Sequence, residues 1–192
     1  MFDSVFPDVP VQYESIAKAT RAMAFNMASD MQTGSLLKTL VASKPSGRIL
    51  ELGTGTGLAT SWIIDGMDEG TRLITVENNE LLLEIARKAL EDARVEFVLG
   101  DGYAWIQNYS GAKFDMVFAD AMPGKYDLFE ETISLAKEGG FYIVDDMLPQ
   151  SNWPQGHAEK VQRFISELEK RDDVVLTKLN WSTGIIIVTK IK

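Results

Sequence analysis

The chain has 192 residues, 45% hydrophobic and 24% charged, enough for one domain with a full core. A net charge of -9 with no basic run argues against nucleic acid or an anionic membrane surface as a partner. The absence of cysteine removes disulfides, thiolate metal sites and a Cys nucleophile. The segment Met1 to Pro10 lacks an apolar signal core, and no apolar stretch approaches the roughly 20 residues needed to span a bilayer. A cytoplasmic location is expected.

In chain order, Val11–Met27 and Met31–Val41 read as two helices, with Asp30 as N-cap of the second. They form an N-terminal helical cap over residues 1–44, placed to cover a ligand cleft. Residues 45–192 read as the core of the same single domain. Its strand candidates are Arg48–Leu52, Arg72–Glu77, Val95–Leu99, Phe114–Ala119, Phe141–Asp145, Val174–Lys178 and Ile185–Lys190. Helix-length segments separate the first five: Leu58–Gly66, Asn79–Asp92, Tyr103–Asn108 and Leu128–Glu138. That alternation predicts an α/β, Rossmann-like sheet of seven mostly parallel strands with helices on both faces. A helix over Gly156 to Lys170 buries Val161, Phe164, Ile165 and Leu168. The last two strands are too close in sequence for a parallel crossover, so one strand must be antiparallel. Trp62 and Trp105 read as core.

The first strand ends in Glu51 and runs into Gly53-Thr54-Gly55-Thr56-Gly57. Glycines at every second position permit a sharp turn and a close ligand. The spacing is G-x-G-x-G, not the G-x-G-x-x-G of dinucleotide folds. An acid two residues before the first glycine suits a cationic ligand rather than a pyrophosphate. Together these point to S-adenosylmethionine, which carries an ammonium and a sulfonium.

Ligands of open parallel sheets sit at the carboxyl ends of the strands. The second strand ends in Glu77-Asn78, the third in Asp101-Gly102, the fourth in Asp120 and the fifth in Asp145-Asp146. Glu77 can accept ribose hydroxyls of NAD or of S-adenosylmethionine. Asp101 either accepts an adenine amine or caps the next helix. Asp120, Asp145 and Asp146 can converge, since adjacent strands lie about 4.8 Å apart. Such a group either holds a hard cation such as Mg²⁺ or divides its work, one acid of the pair capping a loop and Asp120 holding the ligand's amino group.

These residues resemble a class I S-adenosylmethionine-dependent methyltransferase, and within it the small divalent-metal-dependent O-methyltransferases of the catechol and caffeoyl-CoA type (family 3). The resemblance runs from about Asp30 to the C-terminus. It is carried by Met27–Leu37, Ile49–Gly57, Glu77, Phe114–Asp120 with Tyr126 six residues on, and Gly139–Asp146. It implies a cofactor set of Glu51, Gly53, Thr54, Gly55, Gly57, Glu77, Asn78, Asp101, Gly102 and Asp120. It also implies Mg²⁺ ligands Asp120, Asp145 and Asp146, a homodimer, and a small hydroxylated, aromatic acceptor. Two positions depart from the family. Asp146 stands where Asn is usual. Pro123 stands where the family has a Lys as general base. Lys125 either substitutes, in a loop re-formed around Pro123-Gly124, or is a solvated surface lysine. His157, the single histidine, is either a general base or structural. Trp153 walls the acceptor pocket or packs. Competing readings are a metal-free methyltransferase with Asp120 or His157 taking the proton, an NAD(P)-dependent oxidoreductase, and a non-catalytic nucleoside-binding protein.

Overall fold

The computed structural model describes residues 8–151 and 153–192. Among them seven strands make one sheet: β1 Arg48–Leu52, β2 Arg72–Glu77, β3 Val95–Leu99, β4 Phe114–Ala119, β5 Ala136–Val144, β6 Val174–Leu179 and β7 Ile185–Lys190. Seven helices accompany them: α1 Tyr13–Ala22, α2 Met31–Ala42, α3 Leu58–Gly66, α4 Glu80–Ala89, α5 Gly102–Asn108, α6 Phe129–Leu135 and α7 His157–Glu169. The strand order is β3-β2-β1-β4-β5-β7-β6. The first five strands run parallel, and β7 is antiparallel to both of its neighbours. None of these helices is long and apolar enough to cross a membrane.

The sheet is apolar on both faces, as a parallel sheet covered by helices requires. Ile49, Met116, Phe118 and Ile143 pack one face against Leu37 and Val41 of α2 and Ile63 of α3. Their sequence neighbours Leu50, Val117, Ala119 and Val144 pack the other face against Ile106, Ile133, Val161 and Phe164. Each fully buried side chain of this size contributes about 1.5–3 kcal/mol. A third cluster joins Tyr13, Ile16 and Ala17 of α1 to Leu58 and Trp62 of α3 and to Leu90. Trp62 is buried, and Trp105 packs half-buried on the second face.

Several boundaries differ from the sequence expectation. α1 stops at Ala22, not Met27, because Ala24 turns left-handed and the amide of Phe25 reaches back to the Thr20 carbonyl. The chain from Met23 to Ser29 then crosses the glycine loop, with the Phe25 ring beside Gly55. Asp30 caps α2 as expected, accepting from the amides of Gln32 and Thr33. α6 ends at Leu135 and passes directly into β5, whose pairing with β4 slips between Phe114 and Met116. The antiparallel strand, β7, lies inside the sheet, between β5 and β6. Ile185, Ile186 and Val188 are buried, so β7 needs cover on both faces, whereas β6 exposes Val175 and suits the rim.

The chain runs outward from β1 to β3 and returns to β4 on the other side of β1. The strand order therefore reverses between β1 and β4. Such a switch point opens a crevice at the carboxyl ends of the strands.

Candidate active site

The glycine loop leaves β1 at this crevice. The amides of Gly53 and Thr54 both donate to the Val76 carbonyl, which bends the chain over the end of β2. Gly53 has φ 99°, and a Cβ there would lie 2.6 Å from the Asp120 carbonyl oxygen. Gly57, at φ 93°, opens α3, and its Cβ would lie 2.9 Å from that of Ala86. Both positions demand a residue without a side chain.

Around this loop the predicted cofactor residues divide. Glu77 accepts from the Gly55 amide at 2.8 Å with one oxygen, and from Asn78 and Asn79 at 3.0 and 2.9 Å with the other. Three of its roughly four acceptor positions are thus used in tying the loop to β2. Asn78 is exposed beside it. Asp101 caps α5 by accepting from the Ala104 amide, and Gly102 begins that helix against the Pro123 ring. The Thr54 hydroxyl turns inward, 2.5 Å from that of Thr75.

Glu51 departs most from its expected place. It is fully buried. One carboxylate oxygen accepts from the hydroxyls of Thr60 and Thr75, each at 2.6 Å, and the other has no partner among the described residues. Burial pushes its pKa up to about 7, against the pull of the two hydroxyls. Glu51 holds α3 to β2 from beneath the loop.

Across the switch point, Asp120 is nearly buried at the end of β4. The Ser29 hydroxyl donates to one of its oxygens at 3.0 Å, and the Lys125 ammonium lies 3.4 Å from the other. The same ammonium lies 3.6 Å from a carboxylate oxygen of Asp146. Lys125 is 5% exposed, so it is not a solvated surface lysine. The turn at Gly124, φ 87°, folds it inward, and the Tyr142 hydroxyl pins that turn by donating to the Gly124 carbonyl at 2.6 Å. Burial opposes the ammonium, yet Asp120 and Asp146 together hold the Lys125 pKa above its ordinary value. Burial lifts Asp120 to about 8. Lys125 works against that shift, and the charges of Asp145 and Asp146 add to it.

The three acids expected to share an ion do not form its cage. Among the described residues no group of three or more acidic or histidine side chains is placed to hold a metal. One oxygen of Asp145, Oδ1, accepts from the Thr183 hydroxyl at 2.5 Å and from the Asp146 amide at 2.7 Å. Asp146 takes a left-handed backbone, φ 61°. Lys125 sits between Asp120 and Asp146. Mg²⁺ bonds oxygen at about 2.1 Å, so an ion on Asp120 Oδ1 would lie within about 5.5 Å of the Lys125 ammonium. At an effective dielectric of about 20 the repulsion is about 6 kcal/mol or more. The residues present do not fit a divalent ion.

Beyond Lys125 lies an aromatic rim. The Tyr126 hydroxyl is 3.1 Å from His157 Nε2, and the two rings meet edge to face. Trp153 packs on the other side of His157, with ring centroids 4.7 Å apart. Burial lowers the His157 pKa, and the charges of Lys125 and Lys160 lower it further. Burial raises that of Tyr126 to about 12.

Ser29, Phe25 and Thr183 are the residues that sequence reasoning missed. Ser29 and Thr183 reach the site from loops, and Phe25 from the segment that reads as the end of the first helix. The cap at Asp30, one residue after Ser29, is the only local sign that this segment turns toward the sheet.

A family model described as O-methyltransferase matches residues 9–191. The chain is 30% identical over 146 residues to the catechol O-methyltransferase of Mycobacterium tuberculosis (strain ATCC 25618 / H37Rv). That match covers 73% of this chain and 66% of the relative, so the chain spans just under two thirds of its length. The fold is similar to that of the O-methyltransferase TomG from Streptomyces achromogenes, involved in tomaymycin synthesis and solved in complex with SAM. There the identity is 26%, the coverage 95% and 90% of the two chains, and the TM-score 0.80. It is also similar to the O-methyltransferase from Bacillus cereus in complex with SAH, at 25% identity, 93% and 90% coverage and TM-score 0.81. With a family model spanning nearly its whole length, the chain belongs to the O-methyltransferase family.

Proposed function

We propose that the chain is an S-adenosylmethionine-dependent O-methyltransferase of a small hydroxylated, aromatic acceptor. The observation that carries this is the approach of the glycine loop to Asp120 across the switch point, where Gly53 leaves no room even for a Cβ. Two O-methyltransferases of similar structure were solved with SAM or SAH. The rings of Tyr126, His157 and Trp153 favour a flat apolar acceptor beside Lys125.

In this reading the acceptor oxygen attacks the sulfonium methyl in line. A C–O bond forms, the C–S bond breaks, and a neutral thioether leaves. The cofactor supplies the leaving group, and the protein supplies alignment. The hydroxyl proton passes to the Asp120 carboxylate, which burial makes more basic than an ordinary aspartate. No step is assigned to a metal.

Isothermal titration calorimetry with S-adenosylhomocysteine and, separately, NAD⁺ tests the reading. Binding of the homocysteine derivative at micromolar affinity, with NAD⁺ much weaker, is the expected result. Tighter NAD⁺ binding overturns it.

A further inference from the structure

The acids at the ends of β4 and β5 already have a cation among them, and it comes from the chain itself. We infer that the Lys125 ammonium takes the place of the divalent ion, balancing Asp120 and Asp146 and receiving the acceptor oxygen. The inference rests on the methyltransferase reading and specifies how that site works.

Three features of the chain lead there. The first is position: one ammonium lies 3.4 Å from Asp120 and 3.6 Å from Asp146. The second is enforcement. Pro123 and Gly124 displace the lysine from three to five residues beyond Asp120. The Gly124 turn is held on the core, with Leu52 too close beneath it for any Cβ and Tyr142 bonded to its carbonyl. Lys125 is therefore built into the cleft and does not stray there. The third is spare capacity. An ammonium has three N–H donors, and among the described residues one is at hydrogen-bonding distance, to Asp120. Another is free for an oxygen bearing developing negative charge, as oxyanion stabilisation requires. An ammonium orients one oxygen where an ion gathers two. The site thus has no need of a vicinal diol, and an acceptor with a single hydroxyl satisfies it.

The test is metal affinity, read without turnover. Wild type and Lys125→Met are titrated with Mn²⁺ by electron paramagnetic resonance and with Mg²⁺ by calorimetry, each with and without S-adenosylhomocysteine. Wild type is expected to bind neither ion more tightly than about 1 mM, the weak end of protein sites. Removing the ammonium leaves Asp120 and Asp146 uncompensated. Lys125→Met is therefore expected to gain at least about tenfold in affinity, and Asp146→Ala in that background to lose the gain. One tight Mn²⁺ in wild type, lost in Asp120→Asn, overturns the inference. So does a folded Lys125→Met that gains nothing. Should Lys125→Met not fold, Lys125→Gln and the wild-type titration decide alone. Failure of wild type to bind S-adenosylhomocysteine sinks the methyltransferase reading instead, whatever the metal result.

Discussion

Two buried acids end neighbouring strands of the same sheet. Glu51 belongs to β1 and Asp120 follows β4 directly. Glu51 has two threonine hydroxyls for company and no cation. Asp120 has an ammonium and a serine hydroxyl, with two more carboxylates close by. Burial raises the pKa of both, to about 7 and about 8. The difference lies in what each can reach. Glu51 is sealed below the glycine loop and joins strand to helix. Asp120 stands at the crevice with Lys125 and can exchange a proton with a ligand. An acid at a strand end becomes chemical only where its partner also faces the cleft.

Substitution is the strongest way to break this comparison. Asp120→Asn removes the proposed proton acceptor, and general-base contributions are typically about 10²–10⁴-fold. A kcat loss of about that size is expected, measured by transfer of labelled methyl to a phenolic acceptor. Glu51→Gln, which keeps the shape, is expected to change kcat by only a few-fold. Equal losses in the two variants would erase the distinction.

Glu51 acts on stability instead, and the sign follows from its pKa. The group is raised from 4.5 to about 7 in the folded chain, so the native state holds the proton more tightly than the unfolded chain. Its contribution is fully present below about pH 4.5 and is lost as pH rises through about 7. At about 1.4 kcal/mol for each tenfold difference in proton affinity, the loss is about 3 kcal/mol. Urea unfolding at pH 5 and pH 8 should show wild type falling by about this much more than Glu51→Gln. Parallel pH profiles would show that Glu51 titrates normally and that the comparison is misdrawn.

Much of the cofactor side was legible because its physics is local. A glycine that must accept φ 99° and a carbonyl at 2.6 Å is visible as a glycine, and the β/α alternation dictates the sheet. The acceptor side was less so. Strand ends brought Asp120, Asp145 and Asp146 together, but not the direction of Lys125, which depends on a turn pinned by Tyr142 from another strand. Glu51, two residues before the first glycine, suits a cationic ligand, and sequence alone does not say that Thr60 and Thr75 hold one of its oxygens. Ser29 and Thr183 come from loops 91 and 38 residues away from the acids they bind.

The smallest effect concerns the rim. The Tyr126 hydroxyl and His157 Nε2 share one hydrogen bond of 3.1 Å, part-buried, and Tyr126→Phe deletes it while keeping the ring. The expected cost is about 1 kcal/mol of stability, read from urea midpoints. His157 is held neutral near pH 7, since burial and the Lys125 and Lys160 charges all lower its pKa. A neutral imidazole adds no positive charge beside Lys125. Tyr126→Phe should then leave kcat within about threefold, since no proton acceptor has been removed. A kcat loss matching that of Asp120→Asn would move proton transfer from the acid at the end of β4 to the Tyr126–His157 pair. Lys125 would then stand between two candidate bases, and the acceptor oxygen would have to approach it from the rim.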